Sequence, residues 1–124
     1  MPDEWEMQFG LNPFNAADAN GDLDADGMSN LNEYLAGTAP NNAASVFRIV
    51  SVKGLGTPQL PREFSFNSVT GRLYTLQFKD MAAIVLNTWQ DAPSQVDVPG
   101  SGSLQQLRHT NTAQMLYRLR LRKP

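Results

Sequence analysis

The chain has 124 residues, of which 41% are hydrophobic and 18% charged, and a formal net charge of −2. This composition is typical of a small globular protein and excludes a disordered chain. Because the chain contains no cysteine, disulfide frameworks and thiolate metal sites are also excluded.

The charges are segregated along the chain. Residues 1–45 contain eight acidic residues and neither lysine nor arginine, which gives this segment a charge of −8. Residues 46–124 contain all ten lysines and arginines and four acidic residues, which gives a charge of +6. Segments of opposite sign indicate either a docked pair or two surfaces with different partners.

The first predicted element is a short helix within "PDEWEMQFG", residues 2–10. Asp3 is expected to cap this helix, Trp5 and Phe9 share a face, and Gly10 ends it. Residues 11–21 consist of turn-forming residues, which predicts an irregular connection.

A second helix is predicted within "SNLNEYLAG", residues 29–37. Ser29 or Asn30 is its expected cap, and Gly37 is its expected end. The helical period places its apolar residues on one face. These residues are Leu31, Tyr34 and Leu35.

Beyond a linker at residues 40–45, the hydrophobic period changes to two, which predicts β-strands. The strands are expected at residues 45–53, 62–69, 72–80, 104–110 and 114–123, with short strands around 88–93 and 95–98. Residues 81–87, "MAAIVLN", are expected to form a short turn, with a strand as the alternative. Short strands with turns every ~10 residues predict a small antiparallel sandwich or open barrel at residues 46–124.

The acidic stretch "DLDADGMSNLNEY", residues 22–34, matches the spacing of a twelve-residue calcium-binding loop. Such a loop uses side chains at positions 1, 3, 5 and 12, a glycine at position 6, a carbonyl at position 7 and a water at position 9. The predicted ligands in that order are Asp22, Asp24, Asp26, the carbonyl of Met28, a water held by Asn30, and Glu33, with Gly27 at the turn. Frames that start at Asp18 or Asn20 fail at the glycine or at the final carboxylate. These two residues are expected either to complete a second ion site or to brace the loop.

Residues 9–40 resemble a calcium-binding motif of large secreted bacterial proteins, which is similar to thrombospondin type 3 repeats, dockerins and EF-hands. The matching features are the "FGLNP" start, the "DADGMSNLNEY" loop and the "GTAP" end. The later stretches "TGRLYTLQF" and "MLYRLRLR" resemble the β domains that follow this motif. The resemblance implies a terminal module of an exported protein. Since position 8 of the loop is Ser29 instead of an aliphatic residue, we expect a single structural site and no pairing with a second EF-hand.

Outside the acidic loop, the residues that could have a binding or catalytic role are His109, Trp89 and three arginines near the end of the chain. His109 is the only histidine and is expected at an exposed strand end, since no partner for zinc binding or a catalytic triad is evident. Trp89 is expected between the β layers. Three arginines, Arg118, Arg120 and Arg122, alternate with leucines and predict an exposed ladder that guards a sheet edge or docks an anionic partner. Nucleic acid binding is not expected for a chain that is acidic overall.

The sequence therefore predicts a mainly β protein with a small α part. A helix–calcium loop–helix segment at residues 1–39 is followed by the linker and by the β domain. The expected function is a non-catalytic calcium-binding module that acts as a spacer, anchor, adhesion or assembly element of a secreted or cell-surface protein. The signal peptide is absent from this chain. Alternatives are a β domain that binds carbohydrate or a surface glycan, and a sorting or subunit-assembly domain. The expected partners are calcium, other domains or subunits of a larger extracellular assembly, and a glycan.

Overall fold

The computed structural model describes residues 1–81 and 88–124. Within these residues the chain is mainly β with a small helical part and antiparallel sheets, which confirms the predicted fold class. The chain divides into two compact units, Met1–Phe47 and Arg48–Pro124. We call them the helical unit and the β unit. Of the predicted turn at residues 81–87, residues 82–87 lie outside the described part of the chain.

The helical unit contains α1 at Asp3–Gln8, a 3-10 helix at Ala16–Asn20 and α2 at Asn30–Ala36. The predicted cap of α1 is wrong, because the helix already begins at Asp3 and no side chain caps it. Asp3 lies instead in the first turn with two other acids, where negative charge complements the helix dipole. The 3-10 helix lies in the connection for which only turns were predicted, and Asn15 caps it by accepting a hydrogen bond from the Ala17 amide.

The ends of α2 agree with the sequence prediction. Ser29 is the N-cap and accepts a hydrogen bond from the Asn32 amide. Gly37 ends the helix in the left-handed conformation, and its amide donates to the Glu33 carbonyl at 2.7 Å. A left-handed residue is a position that glycine occupies without steric cost.

The fully buried residues of α2 do not belong to its apolar face, on which Leu31 and Tyr34 are half-buried. The helix buries Asn30, Glu33 and Ala36, whereas Leu35 is 37% exposed. These buried residues are spaced by three, so they share one face of the helix. The buried face of α2 is therefore partly polar, and it includes Glu33, the last predicted metal ligand. In α1 and at its C-cap, Trp5 and Phe9 lie on one face as predicted, and their rings are 4.9 Å apart.

The β unit consists of two antiparallel sheets. The strands are β1 Ile49–Lys53, β2 Arg62–Asn67, β3 Leu73–Asp80, β4 Gln90–Asp91, β5 Val98–Pro99, β6 Leu104–His109 and β7 Met115–Arg122. Each corresponds to a predicted strand, although β1 starts four residues later than expected. One sheet has the order β1–β2–β6. In the other sheet, β3 pairs with β7 along its length and with the short strands β4 and β5.

The two sheets pack against each other through aromatic side chains. Phe64 and Phe66 on β2 contact Tyr117 on β7 and Tyr74 on β3, with ring distances of 4.6 and 4.8 Å. Phe66, Tyr74 and Leu76 are completely buried. The arrangement is a two-layer sandwich whose core lies between β2 and β3.

Two predictions for single residues of the β unit are wrong. His109 is buried, stacks on Phe78 with a ring distance of 4.3 Å, and its Nδ1 shares a hydrogen bond of 2.9 Å with the Tyr117 hydroxyl. Trp89 is half-buried and lies against the cationic side chains of Lys79 and Arg118 instead of the aromatic core. The strand period does not distinguish an aromatic ring in the core from one that packs under cationic side chains.

Candidate metal centre

The acidic loop of the helical unit is organised by its own aspartates. Asp22 accepts hydrogen bonds from the Asp26 and Gly27 amides at 3.2 and 2.9 Å. Asp24 accepts from the Asp26 amide at 3.2 Å, and Asp26 accepts from the Met28 amide at 2.8 Å. Each aspartate thus folds the loop back on itself, and the backbone amides partly compensate the negative charge.

Two residues of the loop have positive φ angles. Gly27 has φ of 100°, which side-chain-bearing residues rarely adopt, and Ala25 has φ of 63°. These left-handed positions turn the chain tightly, so that the side chains at alternate positions point to one centre. The glycine at position 6 therefore has the conformational role that the sequence pattern predicts.

The three aspartates converge. Asp22, Asp24 and Asp26 each offer one carboxylate oxygen, and the three oxygens lie within 4.8 Å of one another, so the group can hold a metal ion. The Oδ2 atoms of Asp24 and Asp26 are buried and accept no hydrogen bond. Buried polar atoms in folded proteins almost always have a partner. These two oxygens are therefore candidates for metal ligation.

Glu33 is the fourth carboxylate of the predicted ligand set, and its oxygens are not among those that converge with the three aspartates. Its side chain is 0% exposed, and neither of its oxygens accepts a hydrogen bond. Burial raises the pKa of Glu33 to about 7, and the charges of Asp24, Asp26 and Asp22 add to this rise, whereas the Thr38 hydroxyl, which lies near Glu33 without the geometry of a hydrogen bond, opposes it. The charges of the three aspartates therefore add to the cost of an ionised Glu33. A fully buried carboxylate without a partner needs a counter-charge or a proton.

The helical unit cannot supply that counter-charge from its side chains. Residues 1–47 contain no lysine, arginine or histidine, whereas they contain eight acidic residues. A divalent metal cation would offset part of this negative charge and at the same time give the unpartnered oxygens an ion to coordinate. The donors are all oxygens, which favours a hard cation over one that prefers nitrogen or sulfur.

Asn30 and Asp18 brace the loop. The Asn30 side chain is 2% exposed, donates through Nδ2 to the Asp18 carbonyl at 2.8 Å, and accepts through Oδ1 from the Leu23 amide at 3.2 Å. Both hydrogen-bonding groups of this amide are therefore used away from the carboxylates. The Asp18 carboxylate accepts from the Asn12 amide at 2.8 Å and from the Asn15 side chain, so it holds the upstream turn.

Asn20 is exposed and lies at the end of the 3-10 helix. Of the two roles considered for Asp18 and Asn20, the hydrogen bonds of Asp18 are those of a brace. The Met28 carbonyl, the water at Asn30 and a second ion remain predictions.

Two residues of the centre were missed by the sequence analysis. Thr38 follows α2, has a buried hydroxyl, and its amide donates to the Glu33 carbonyl at 3.0 Å. Gly21 lies so close to the brace that an added Cβ would be 3.3 Å from Asn30 Nδ2 and from the Asp18 carbonyl. The "GTAP" stretch contained a signal for Thr38, but the close approach at Gly21 depends on contacts that a linear pattern does not contain.

Comparisons with known proteins give no assignment. No family model, curated protein or solved structure matches this chain. None of the helices in the described residues has the length and apolar character needed to cross a bilayer.

Proposed function

We propose that this chain is a non-catalytic, calcium-stabilised structural module of a secreted or cell-surface protein. The observation that carries the proposal is the convergence of the Asp22, Asp24 and Asp26 carboxylates in a unit that also contains the fully buried Glu33 carboxylate, whose oxygens make no hydrogen bond. No cationic side chain of the helical unit is available to neutralise these charges. A bound divalent cation would lower this electrostatic cost.

The proposed ligands are the carboxylates of Asp22, Asp24, Asp26 and Glu33, the Met28 carbonyl and one water. Calcium suits this set because it takes six to eight oxygen ligands and tolerates irregular geometry. Magnesium requires near-octahedral geometry and retains several waters, so a loop with four carboxylates is expected to bind it less well. Zinc prefers nitrogen and sulfur ligands, which residues 1–47 offer only as methionine thioethers.

The proposed role is structural because the last ligand belongs to a helix. Glu33 anchors α2 to the loop, and Tyr34 of the same helix packs on Trp5 with a ring distance of 5.3 Å. Calcium binding would thus hold α1, the loop and α2 together. Extracellular calcium sites commonly have dissociation constants of roughly 10⁻⁴–10⁻³ M, which suits a module exposed to a calcium-rich medium.

Thermal unfolding with calcium and with a chelator tests the proposal. We expect calcium at ~100 times its dissociation constant to add about 2.7 kcal/mol of stability. Glu33→Gln preserves the shape of the side chain but removes its charge, so it should abolish most of this gain. The chelated variant should be at least as stable as the chelated wild type, because its buried side chain is neutral.

Glu4→Gln is the matched control, since it removes one exposed acidic charge from the same unit. This variant should keep the full calcium-dependent gain. The proposal is wrong if the chelator leaves the wild-type midpoint unchanged and calorimetry detects no calcium binding. A larger gain with magnesium than with calcium would reject the assigned ion and retain the site.

A further inference from the structure

The β unit has a cleft that none of the functions considered above uses. It has a volume of about 380 Å³ and lies between β1 and β2 of one sheet and β7 of the other. This volume is within the range of roughly 300–1,000 Å³ that is usual for small-molecule sites. We call it the edge cleft.

The edge cleft has both apolar and polar walls, and its polar lining residues are Arg62, Gln114 and Tyr117. The apolar side chains form the rest of the lining. They include Val52, Phe64, Met81, Met115 and Leu116. Val52, Met81 and Leu116 are 55%, 42% and 41% exposed, so the apolar surface is accessible to a ligand. Two methionines in the lining add side chains that adapt to different ligand shapes.

One cation lies within this lining. Arg62 is two residues before Phe64 on β2, and alternate residues of a strand share a face. Since Phe64 packs on Tyr117 of the opposite sheet, Arg62 is on the inward-facing register at the open edge. The charge of Arg62 lowers the pKa of Tyr117, against the larger rise caused by burial, which places the guanidinium near this phenol.

Arg62 lacks a partner for its buried donor. Its Nε is buried and makes no hydrogen bond. Ion pairs join Arg108 to Glu63 and Arg122 to Asp97, and neither includes Arg62. An unsatisfied donor of a charged group is costly when buried, and a carboxylate satisfies it with a strong, charge-assisted hydrogen bond.

We propose that the edge cleft binds a small amphipathic carboxylate. The carboxylate pairs with the Arg62 guanidinium, and the aliphatic or aromatic body of the ligand covers Val52, Phe64 and Leu116. Both features of the cleft, its apolar walls and its single unpartnered cation, are then complemented by one molecule. The site is independent of the calcium centre, since all its residues belong to the β unit.

The test is a titration of protein labelled with ¹³C at the methionine methyl groups, using octanoate as the probe. We expect saturable shifts of the Met81 and Met115 methyl signals. Met7 and Met28 are internal controls, because they belong to the helical unit. Two probes with the same chain, neutral 1-octanol and cationic octyltrimethylammonium, should bind at least about tenfold more weakly, since a hydrogen bond to a charged group contributes about that factor.

Variants test the role of the guanidinium. Arg62→Gln should weaken octanoate binding about tenfold and leave 1-octanol binding unchanged, because only the charge-assisted hydrogen bond is lost. Arg108→Gln is the matched control, an exposed arginine of the same sheet that is paired with Glu63. It should bind octanoate like the wild type.

The proposal is overturned if octanoate at millimolar concentration does not shift Met81 and Met115, or if 1-octanol binds equally well. Equal octanoate affinity of a folded Arg62→Gln variant would also overturn it. If this variant does not fold, the comparison of the three probes on the wild-type protein decides alone.

Discussion

At the scale of single residues, Asn30 lies at a position where the calcium-loop pattern predicts a polar side chain, but its side chain has a different role from the predicted one. The pattern places a water-binding side chain at position 9 of the loop, and Asn30 occupies it. In the structure, the Asn30 amide joins the Asp18 carbonyl to the Leu23 amide and is almost completely buried. Its role is therefore to hold the start of the loop against α2.

Asn30→Asp separates this bracing role from metal ligation. The substituted carboxylate cannot donate to the Asp18 carbonyl, so we expect about 1–3 kcal/mol of lost stability in chelator. Weaker calcium binding should follow, because the loop start is released. Asn32→Asp adds the same charge at an exposed position of α2 and is the control. Unchanged stability in chelator together with tighter calcium binding would show instead that position 9 serves the ion. Thermal unfolding and calorimetry measure the two quantities.

His109 predicts a pH dependence of the β unit. Burial lowers its pKa below the ordinary 6.5, so the folded protein binds fewer protons than the unfolded chain as the pH falls below 6.5. The free energy of unfolding must therefore fall with pH from 6.5 down to the lowered folded pKa, and level off below it. One such group gives a slope of at most about 1.4 kcal/mol per pH unit.

The groups around His109 agree with this direction. Arg62 is its register partner on β2 and adds positive charge, while the Tyr117 hydroxyl and the Phe78 ring are neutral. The measurement is urea unfolding of the wild type and of His109→Phe between about pH 7.5 and pH 5. The difference in slope between the two proteins isolates the histidine. Parallel slopes would contradict the assignment.

At the scale of elements, β7 pairs with β3 and with no other strand of the described residues. Its outward-facing residues are the arginines, of which Arg118 bonds Gln77 and Arg122 bonds Asp97, while Arg120 makes neither a hydrogen bond nor an ion pair within the described residues. Exposed charge on an edge strand prevents pairing with other chains. Solubility is therefore the expected contribution of Arg120, and not stability.

Arg120→Ile should change the free energy of unfolding by less than about 0.5 kcal/mol, as is usual for an exposed residue without a partner. It should nevertheless increase self-association, because the edge strand then carries an exposed apolar β-branched residue in place of a charge. Arg48→Ile, at an exposed position outside the strands, is the control. Light scattering against concentration measures the effect. Equal scattering of both variants would remove the edge-guarding role from Arg120.

The elements also show how far the sequence could predict the structure. The strands were predictable because their apolar residues alternate, and the aromatic contacts between β2, β3 and β7 follow from that alternation. The three converging aspartates follow from spacing alone. The polar buried face of α2 did not follow, since amphipathic patterns assign apolar residues to the interior. Trp89 and His109 were misplaced for a related reason, because propensity does not show which aromatic finds a cationic or a hydroxyl partner.

At the scale of the whole molecule, the opposite charges of the two segments coincide closely with the two compact units. The helical unit contains no cationic side chain, and the β unit contains all ten lysines and arginines. The candidate metal centre lies entirely in the helical unit. Removal of an ion bound there should therefore raise electrostatic repulsion in the helical unit and leave the sandwich core of the β unit unchanged.

The two tryptophans report on the two units separately and test this expectation. Trp5 packs on Phe9 and Tyr34 in the helical unit, and Trp89 lies against Lys79 and Arg118 in the β unit. Trp89→Phe leaves Trp5 as the single reporter, and Trp5→Phe leaves Trp89. We expect the chelator to lower the unfolding midpoint reported by Trp5 and to leave that reported by Trp89 in place. The linkage between ligand and stability acts only on the cooperative unit that binds the ion. Equal shifts in both variants would mean that the chain unfolds as one cooperative unit, and that calcium stabilises the β-sandwich as well.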